Sequence, residues 1–315
     1  MKVHVLLNYD AGEEDLVRVR AVSSALVVEN AARREEGLRR ATTAEVILAG
    51  HWSEELWKAA PRLRWVQSWG AGVEWILTPE FVASPILLTN AQGIYATPIA
   101  EHVVAFLLHF ARAFDRHVRN QAEHRWQHAE VRELRDSTLG IIGLGGIGSE
   151  VARVAKGFGL RVIAVRRRPD RPAPEADEVR GPDALPWLLG ESDFVALCTA
   201  LTPTTRHLIG EAELRQMKPT AYLINIGRGG LVDEEALIAA LRDKRIAGAG
   251  LDVFAQEPLP PDSPLWDLPN VLITPHTSGN SPHSHERLMA LFCENLRRYL
   301  AGEELLNVVD KGEGY

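Results

Sequence analysis

Hydrophobic and polar positions follow two rhythms along this chain. Short apolar, β-rich runs occur at Val3–Leu7, Val46–Ala49, Leu63–Val66 and Ile86–Thr89 in the first third. They recur at Leu139–Gly143, Arg161–Val165, Phe194–Cys198, Tyr222–Ile226, Gly248–Val253 and Val271–Thr274. Between them lie amphipathic stretches such as Gly146–Phe158 and Glu234–Arg242. The runs predict strands and the amphipathic stretches predict helices. Regular alternation of the two predicts parallel sheets covered by helices on both faces. No repeat of fixed period interrupts the plan.

Two longer apolar segments suggest how the chain is divided. Pro98 suits the first position of a helix with Thr97 as its N-cap, so Ile99–Phe114 is predicted as a helix buried between two bodies. Pro282–Leu300 predicts a second long helix. Read as the two crossings between domains, they give one domain from residues 1–97 plus 281–315 and a second from 98–280. A length of 315 residues suits two cores.

Composition narrows the function classes. Hydrophobic residues make up 46% and charged residues 24%, as in an ordinary globular protein. A formal net charge of -7 argues against a nucleic-acid or anionic-membrane surface, so any anion site must be a local cluster of positive charge. The best membrane candidate, Val103–Phe110, is interrupted by His109 and is far shorter than the roughly 20 residues a bilayer requires. Cys198 and Cys293 form no CxxC pair, and Met1–Asp10 lacks a signal-peptide plan, so the expected location is cytoplasmic.

The chemistry begins at a glycine loop. Gly143, Gly145 and Gly148 fit G-x-G-x-x-G between a predicted strand and a predicted helix. The first glycine permits a tight turn, the second lets the backbone approach a pyrophosphate, and the third allows close helix–strand packing. The helix start, with Gly146 and Ile147, then offers N–H groups and the positive end of a dipole to the phosphates. This setting predicts a Rossmann-type dinucleotide site. After the next strand an NAD enzyme usually carries an acidic residue for the adenosine ribose. Here stand Arg166, Arg167 and Arg168 instead, which favours NADP, with NAD the second choice. Arg166 and Arg167 are the two expected to reach the 2′-phosphate.

Three polar residues follow later strands: Arg228, Glu257 and His276. Reduction of a 2-oxo acid needs a hydride and a proton. Imidazolium donates a proton near neutral pH, a carboxylate beside it orients the ring and raises its pKa, and arginine grips a carboxylate with two hydrogen bonds. Singly, each residue reads as a loop or surface group. Together, in loops after successive strands, they read as a catalytic set.

At these residues the sequence resembles the D-isomer-specific 2-hydroxyacid dehydrogenase family. The similarity covers nearly the whole chain and is strongest from Leu139 to Gly279, at Gly143–Gly148, Asn225–Asp233, Gly250–Pro258 and Leu272–His276. The stretch Glu257–Trp266 looks closest to the glyoxylate/hydroxypyruvate reductases. The resemblance implies two doubly wound α/β domains, a cofactor domain inserted in a smaller flavodoxin-like substrate domain. It implies that Arg228, Glu257 and His276 are catalytic. It also implies that Gly70, Ala71 and Gly72 present amides to the substrate carboxylate. Thr199, Ile226, Gly227, Asp252, Ser278 and Gly279 would line the cofactor, with Asp252 near the nicotinamide carboxamide. The main departure is Arg166 at the usual acidic position. The chain also ends soon after its last helix, which argues against a feedback-regulated 3-phosphoglycerate dehydrogenase.

The leading expectation is therefore NADPH-dependent reduction of glyoxylate, hydroxypyruvate or a similar small 2-oxo acid. An NAD-dependent D-lactate-type dehydrogenase and a redox-sensing binding protein of the same fold are the alternatives. Trp52 and Trp69 are candidates for narrowing the substrate cleft, which is expected to close on binding. The apolar Ile99–Phe114 and the nearby Trp126 suggest a homodimer. His124 with His128 and His283 with His285 lack a third ligand of suitable spacing, so no metal is expected.

Overall fold

The apolar run at the start of the chain folds as strand β1 (Val3–Asn8), whose last four residues are buried. The computed structural model describes residues 2–314. After β1 come α1 (Glu13–Arg20), β2 (Leu26–Asn30), α2 (Arg34–Ala41), β3 (Val46–Ala49), α3 (Glu54–Lys58), β4 (Trp65–Ser68), α4 (Pro79–Ala83) and β5 (Leu87–Thr89). The five strands pair in parallel in the order β2-β1-β3-β4-β5.

The chain continues through α5 (Ala96–Ala111), α6 (Phe114–Ala122), β6 (Thr138–Ile142), α7 (Gly146–Gly157), β7 (Arg161–Val165) and β8 (Glu178–Arg180). It goes on through α8 (Leu185–Glu191), β9 (Phe194–Leu197), α9 (Glu211–Gln216), β10 (Tyr222–Asn225), α10 (Glu234–Arg242), β11 (Gly248–Leu251) and β12 (Val271–Ile273). These seven strands form a second parallel sheet in the order β12-β11-β10-β9-β6-β7-β8. The last helix, α11 (Ser284–Ala301), belongs with the first sheet. One unit is the chain up to Tyr95 with the stretch from Ser281 onward, and the other is Ala96–Asn280.

Each sheet is buried for the reason its sequence suggests. Every residue of β6, β9 and β11 is buried, as expected for parallel strands covered on both faces. In α7 the buried face is Gly148, Val151, Ala152 and Ala155, small side chains that let helix and sheet approach closely. In α11, Leu288, Phe292 and Leu296 recur at helical spacing and pack with Val5, Leu7, Val46 and Trp65.

The structure departs from the sequence reading at several edges. Strand β2 was not expected, because only two of its five residues are buried and Glu29 and Asn30 obscure its pattern. Strand β8 is a three-residue edge strand with no buried position. Strand β4 lies two residues later than Leu63–Val66, since the buried Gln67 and Ser68 belong to it. Gln67 keeps its place there by accepting a hydrogen bond from Thr89 Oγ1 at 2.7 Å. Helix α5 starts at Ala96, so Thr97 is inside the helix and not its N-cap. Pro98 is tolerated because first-turn amides lack helical partners anyway. The same helix stops at Ala111, just before the left-handed Ala113 at φ 53°, and Phe114 opens α6 instead.

Candidate active site

The second sheet changes winding direction between β6 and β9, and the glycine loop sits at that switch point. Gly143 has φ +96°, and a Cβ there would stand 2.8 Å from the backbone of Thr199. A Cβ on Gly148 would stand 2.2 Å from the Gly143 carbonyl oxygen. Around Gly145 nothing lies within 4 Å, and this residue caps α7 without a side-chain hydrogen bond. Two glycines are thus demanded by turn and packing, while the third leaves open space at an uncapped helix start. The first-turn amides of Gly146 and Ile147 face no helical acceptor. Such a cradle fits a pyrophosphate. Thr199 and Gly227 are neighbours here, since a Cβ on Gly227 would stand 3.1 Å from the Thr199 carbonyl oxygen. Ile226 beside them is buried.

The three arginines after β7 behave differently from one another. Arg166 turns into its own loop: its guanidinium donates to the carbonyls of Arg171 and, at 3.5 Å, Pro172, and reaches the Leu144 carbonyl of the glycine loop at 3.5 Å. Its Nε is enclosed without a partner. Arg167 and Arg168 are exposed.

Strands β10, β11 and β12 are neighbours, and the loop after each carries one of the three polar residues. Glu257 Oε1 accepts the Phe254 N–H at 3.0 Å, and its Oε2 lies 2.6 Å from His276 Nδ1. The carboxylate is therefore anchored on one side and holds the imidazole on the other. Nδ1–H donates to it, which leaves Nε2 as the nitrogen that can exchange a proton with substrate. The His276 side chain is 47% exposed, so Nε2 is within reach of a ligand. His276 also adopts φ +53°, an uncommon conformation for a non-glycine residue. It is held there by its N–H, which donates to the carbonyls of Asp252 at 2.8 Å and Thr274 at 3.0 Å.

Asp252 organises the same loop. It is fully buried, and its carboxylate accepts from Thr274 Oγ1 at 2.5 Å and from the amides of Thr277 and Ser278, both at 2.9 Å. Thr274 in turn lies 3.0 Å from His102 Nε2, which donates because the hydroxyl proton is committed to Asp252. Burial holds the His102 imidazole below the usual histidine range, with the Asp252 charge opposing. Sequence reasoning missed Thr274 and His102, since nothing in their spacing ties α5 to the loop after β12.

Arg228 is seated by its neighbours. Asn225 Nδ2 donates to the Arg228 carbonyl at 3.0 Å, and Asn225 Oδ1 accepts the Gly227 N–H at 3.1 Å. The Arg228 Nη1 donates to the Gly227 carbonyl at 2.8 Å. At Gly229 a Cβ would stand 1.9 Å from the Phe254 carbonyl group, so the Arg228 loop presses directly on the loop that carries Glu257. Gly229→Ala is expected to push these loops apart, with a stability loss of about 1–3 kcal/mol and a fall in kcat. Thermal unfolding and initial rates on the same preparation check this, and unchanged values of both would contradict the packing argument.

Gly70, Ala71 and Gly72 follow β4 in the other unit. His285 also lies there, paired with Asp15 at 2.8 Å. Among the described residues, no group of three or more His, Cys, Asp or Glu side chains is placed to hold a metal ion. No helix among them is long and apolar enough to cross a membrane.

Comparison with known proteins agrees with this chemistry. Residues 104–278 match the model of the D-isomer specific 2-hydroxyacid dehydrogenase NAD binding domain. The chain is 40% identical over 271 residues to a glyoxylate reductase of Korarchaeum cryptofilum (strain OPF8), covering 82% of this chain and 79% of the relative. A D-isomer specific 2-hydroxyacid dehydrogenase of Xanthobacter autotrophicus Py2, solved in complex with NADPH and MES, aligns over 100% of both chains with TM-score 0.88 and 31% identity. An NADPH-dependent glyoxylate/hydroxypyruvate reductase of Sinorhizobium meliloti, solved with NADP and sulfate, aligns over 100% of both chains with TM-score 0.89 and 29% identity. The family model spans more than half of the chain, and this chain belongs to the D-isomer specific 2-hydroxyacid dehydrogenase family.

Proposed function

We propose that this chain is an NADPH-dependent reductase of glyoxylate, hydroxypyruvate or a similar small 2-oxo acid. The observation that carries the reading is the 2.6 Å contact between Glu257 Oε2 and His276 Nδ1, on a loop whose backbone is fixed by Asp252. The nicotinamide, when bound, supplies the hydride. His276 as imidazolium then protonates the carbonyl oxygen through Nε2, and Glu257 stabilises the cation and fixes the ring. Arg228 binds the substrate carboxylate and polarises the carbonyl. The Gly70–Gly72 loop supplies further amides to the carboxylate. The glycine loop holds the pyrophosphate, with Thr199, Ile226 and Gly227 beside it. Arg167 and Arg168 take the 2′-phosphate, while Arg166 braces the loop that presents them.

The relatives' activities support this substrate class, and the NADPH and NADP found in the two solved neighbours support the cofactor choice. We also propose a cytoplasmic homodimer. The apolar positions of α5 that face inward are already covered, so the support comes from Phe114, Val118 and Trp126, the last 99% exposed. Sedimentation at micromolar concentration should give a dimer, and a monomer would refute that part. The catalytic reading is tested by steady-state rates with NADPH against a panel of 2-oxo acids. Turnover of glyoxylate or hydroxypyruvate is expected, and no turnover of any 2-oxo acid would end it.

A further inference from the structure

Four successive carbonyl oxygens after β4 are each held by a different donor. The Tyr95 hydroxyl donates to Trp69 at 2.8 Å, and the Ala91 N–H donates to Gly70 at 3.0 Å. Asn90 Nδ2 donates to Ala71 at 2.9 Å, and Trp75 Nε1 donates to Gly72 at 3.1 Å. The Gly70 amide is taken by Ser68 Oγ at 3.2 Å. The amides of Ala71 and Gly72 have no acceptor among the described residues.

A trans peptide is planar, with its N–H pointing opposite to its C=O. Fixing the Gly70 carbonyl on Ala91 therefore fixes the Ala71 N–H in the reverse direction. Fixing the Ala71 carbonyl on Asn90 does the same for the Gly72 N–H. Two consecutive unpaired amides aimed to one side form an anion-binding concavity. Of the donors, Ala91 acts through backbone, which no substitution short of proline removes. Asn90 is the side chain that sets the Gly72 amide. It is 5% exposed and sits rigidly, because its Oδ1 accepts the Gln92 N–H at 3.1 Å and its own N–H donates to the Asn307 carbonyl at 3.1 Å.

We propose that Asn90 is a positioning residue for substrate: it holds the Ala71 carbonyl so that the Gly72 amide faces the carboxylate of the 2-oxo acid. This rests on the reading that the Gly70–Gly72 loop binds that carboxylate. Without the Asn90 donor the Ala71–Gly72 peptide is free to rotate, and a carboxylate loses one oriented hydrogen bond. A substrate with a neutral amide in place of the carboxylate loses much less, since hydrogen bonds to a charged acceptor are the stronger ones.

The test compares wild type with Asn90→Ala and Asn90→Ser. Serine retains an acceptor for the Gln92 N–H but has no group that reaches Ala71, and neither variant adds charge. Rates with NADPH are measured on glyoxylate and on glyoxylamide. Both variants should lose about tenfold in kcat/KM on glyoxylate, mainly through KM, with little change on glyoxylamide. Affinity for NADPH should be nearly unchanged, and both variants should stay folded with a modest fall in unfolding temperature from the lost buried hydrogen bonds. Calorimetric titration of oxalate into the NADPH-loaded protein should show a similar weakening. Because oxalate accepts no hydride, this arm separates the positioning role from any failure of the proposed reaction. Equal losses on glyoxylate and glyoxylamide, unchanged oxalate binding, or failure of both variants to fold would assign Asn90 to the scaffold and overturn the proposal.

Discussion

His276→Ala is expected to lose about 10²–10⁴ in kcat while still binding NADPH. The size follows from where the imidazole acts. In the proposed reaction it gives its proton as negative charge develops on the carbonyl oxygen, so its contribution exists in the transition state and hardly at all in the Michaelis complex. The cofactor cradle lies after β6 and does not depend on the ring, so NADPH affinity measured by fluorescence should be retained. Glu257→Gln should be milder, with a loss of about tenfold. The amide still accepts the Phe254 N–H but no longer neutralises the imidazolium 2.6 Å away. Arg228→Ala should differ in kind and damage both KM and kcat, because its grip on the carboxylate serves ground and transition states alike. Unchanged turnover in His276→Ala would remove this residue from the chemistry.

The second large effect concerns the cofactor. Wild type should use NADPH better than NADH by roughly 10- to 150-fold in kcat/KM, the worth of one charge-assisted hydrogen bond, with solvent and salt reducing it. The expected contact from Arg166 and Arg167 meets a loop that already engages Arg166. Arg166 donates to backbone carbonyls at Arg171, Pro172 and Leu144, and this supports the proposal that the exposed Arg167 and Arg168 take the phosphate. Arg167→Ala should therefore raise KM for NADPH about tenfold and leave NADH nearly unaffected. Arg166→Asp places an acceptor for ribose hydroxyls at the strand end and repels a 2′-phosphate, so it should reverse the preference. Rates with both cofactors at fixed ionic strength decide the matter. Equal or better use of NADH by wild type would return the three arginines to a solvated basic turn.

The folded chain also shows which physical information a sequence carries. The glycine loop was legible because its demands are local: a turn, a close approach and a helix start, all within a few residues. The placement of Arg228, Glu257 and His276 in neighbouring loops was legible because each follows an apolar run, and strand order in a parallel sheet places such loops at one edge. The turn of Arg166 into its own loop was not legible. Consecutive residues of the same type are indistinguishable until the folded loop sets where each side chain turns. The Asn90 contact was hidden for a related reason, since its acceptor is a backbone carbonyl 19 residues earlier and only the pairing of β4 with β5 brings the loops after those strands together. Asp252 was noticed for its place in a motif, yet the three donors on its carboxylate come from the loop after β12.

The proposed reaction is direct hydride transfer from the nicotinamide to the C2 carbonyl carbon of a small 2-oxo acid. Its most direct test is isotopic. The protein is incubated with glyoxylate and with NADPH carrying deuterium at both positions of the nicotinamide C4. The glycolate formed is then examined by proton NMR and mass spectrometry. One deuterium should appear on C2 in every product molecule, with none acquired from solvent when the label is moved from cofactor to water. Glycolate free of cofactor-derived deuterium, or no glycolate at all, would contradict the account.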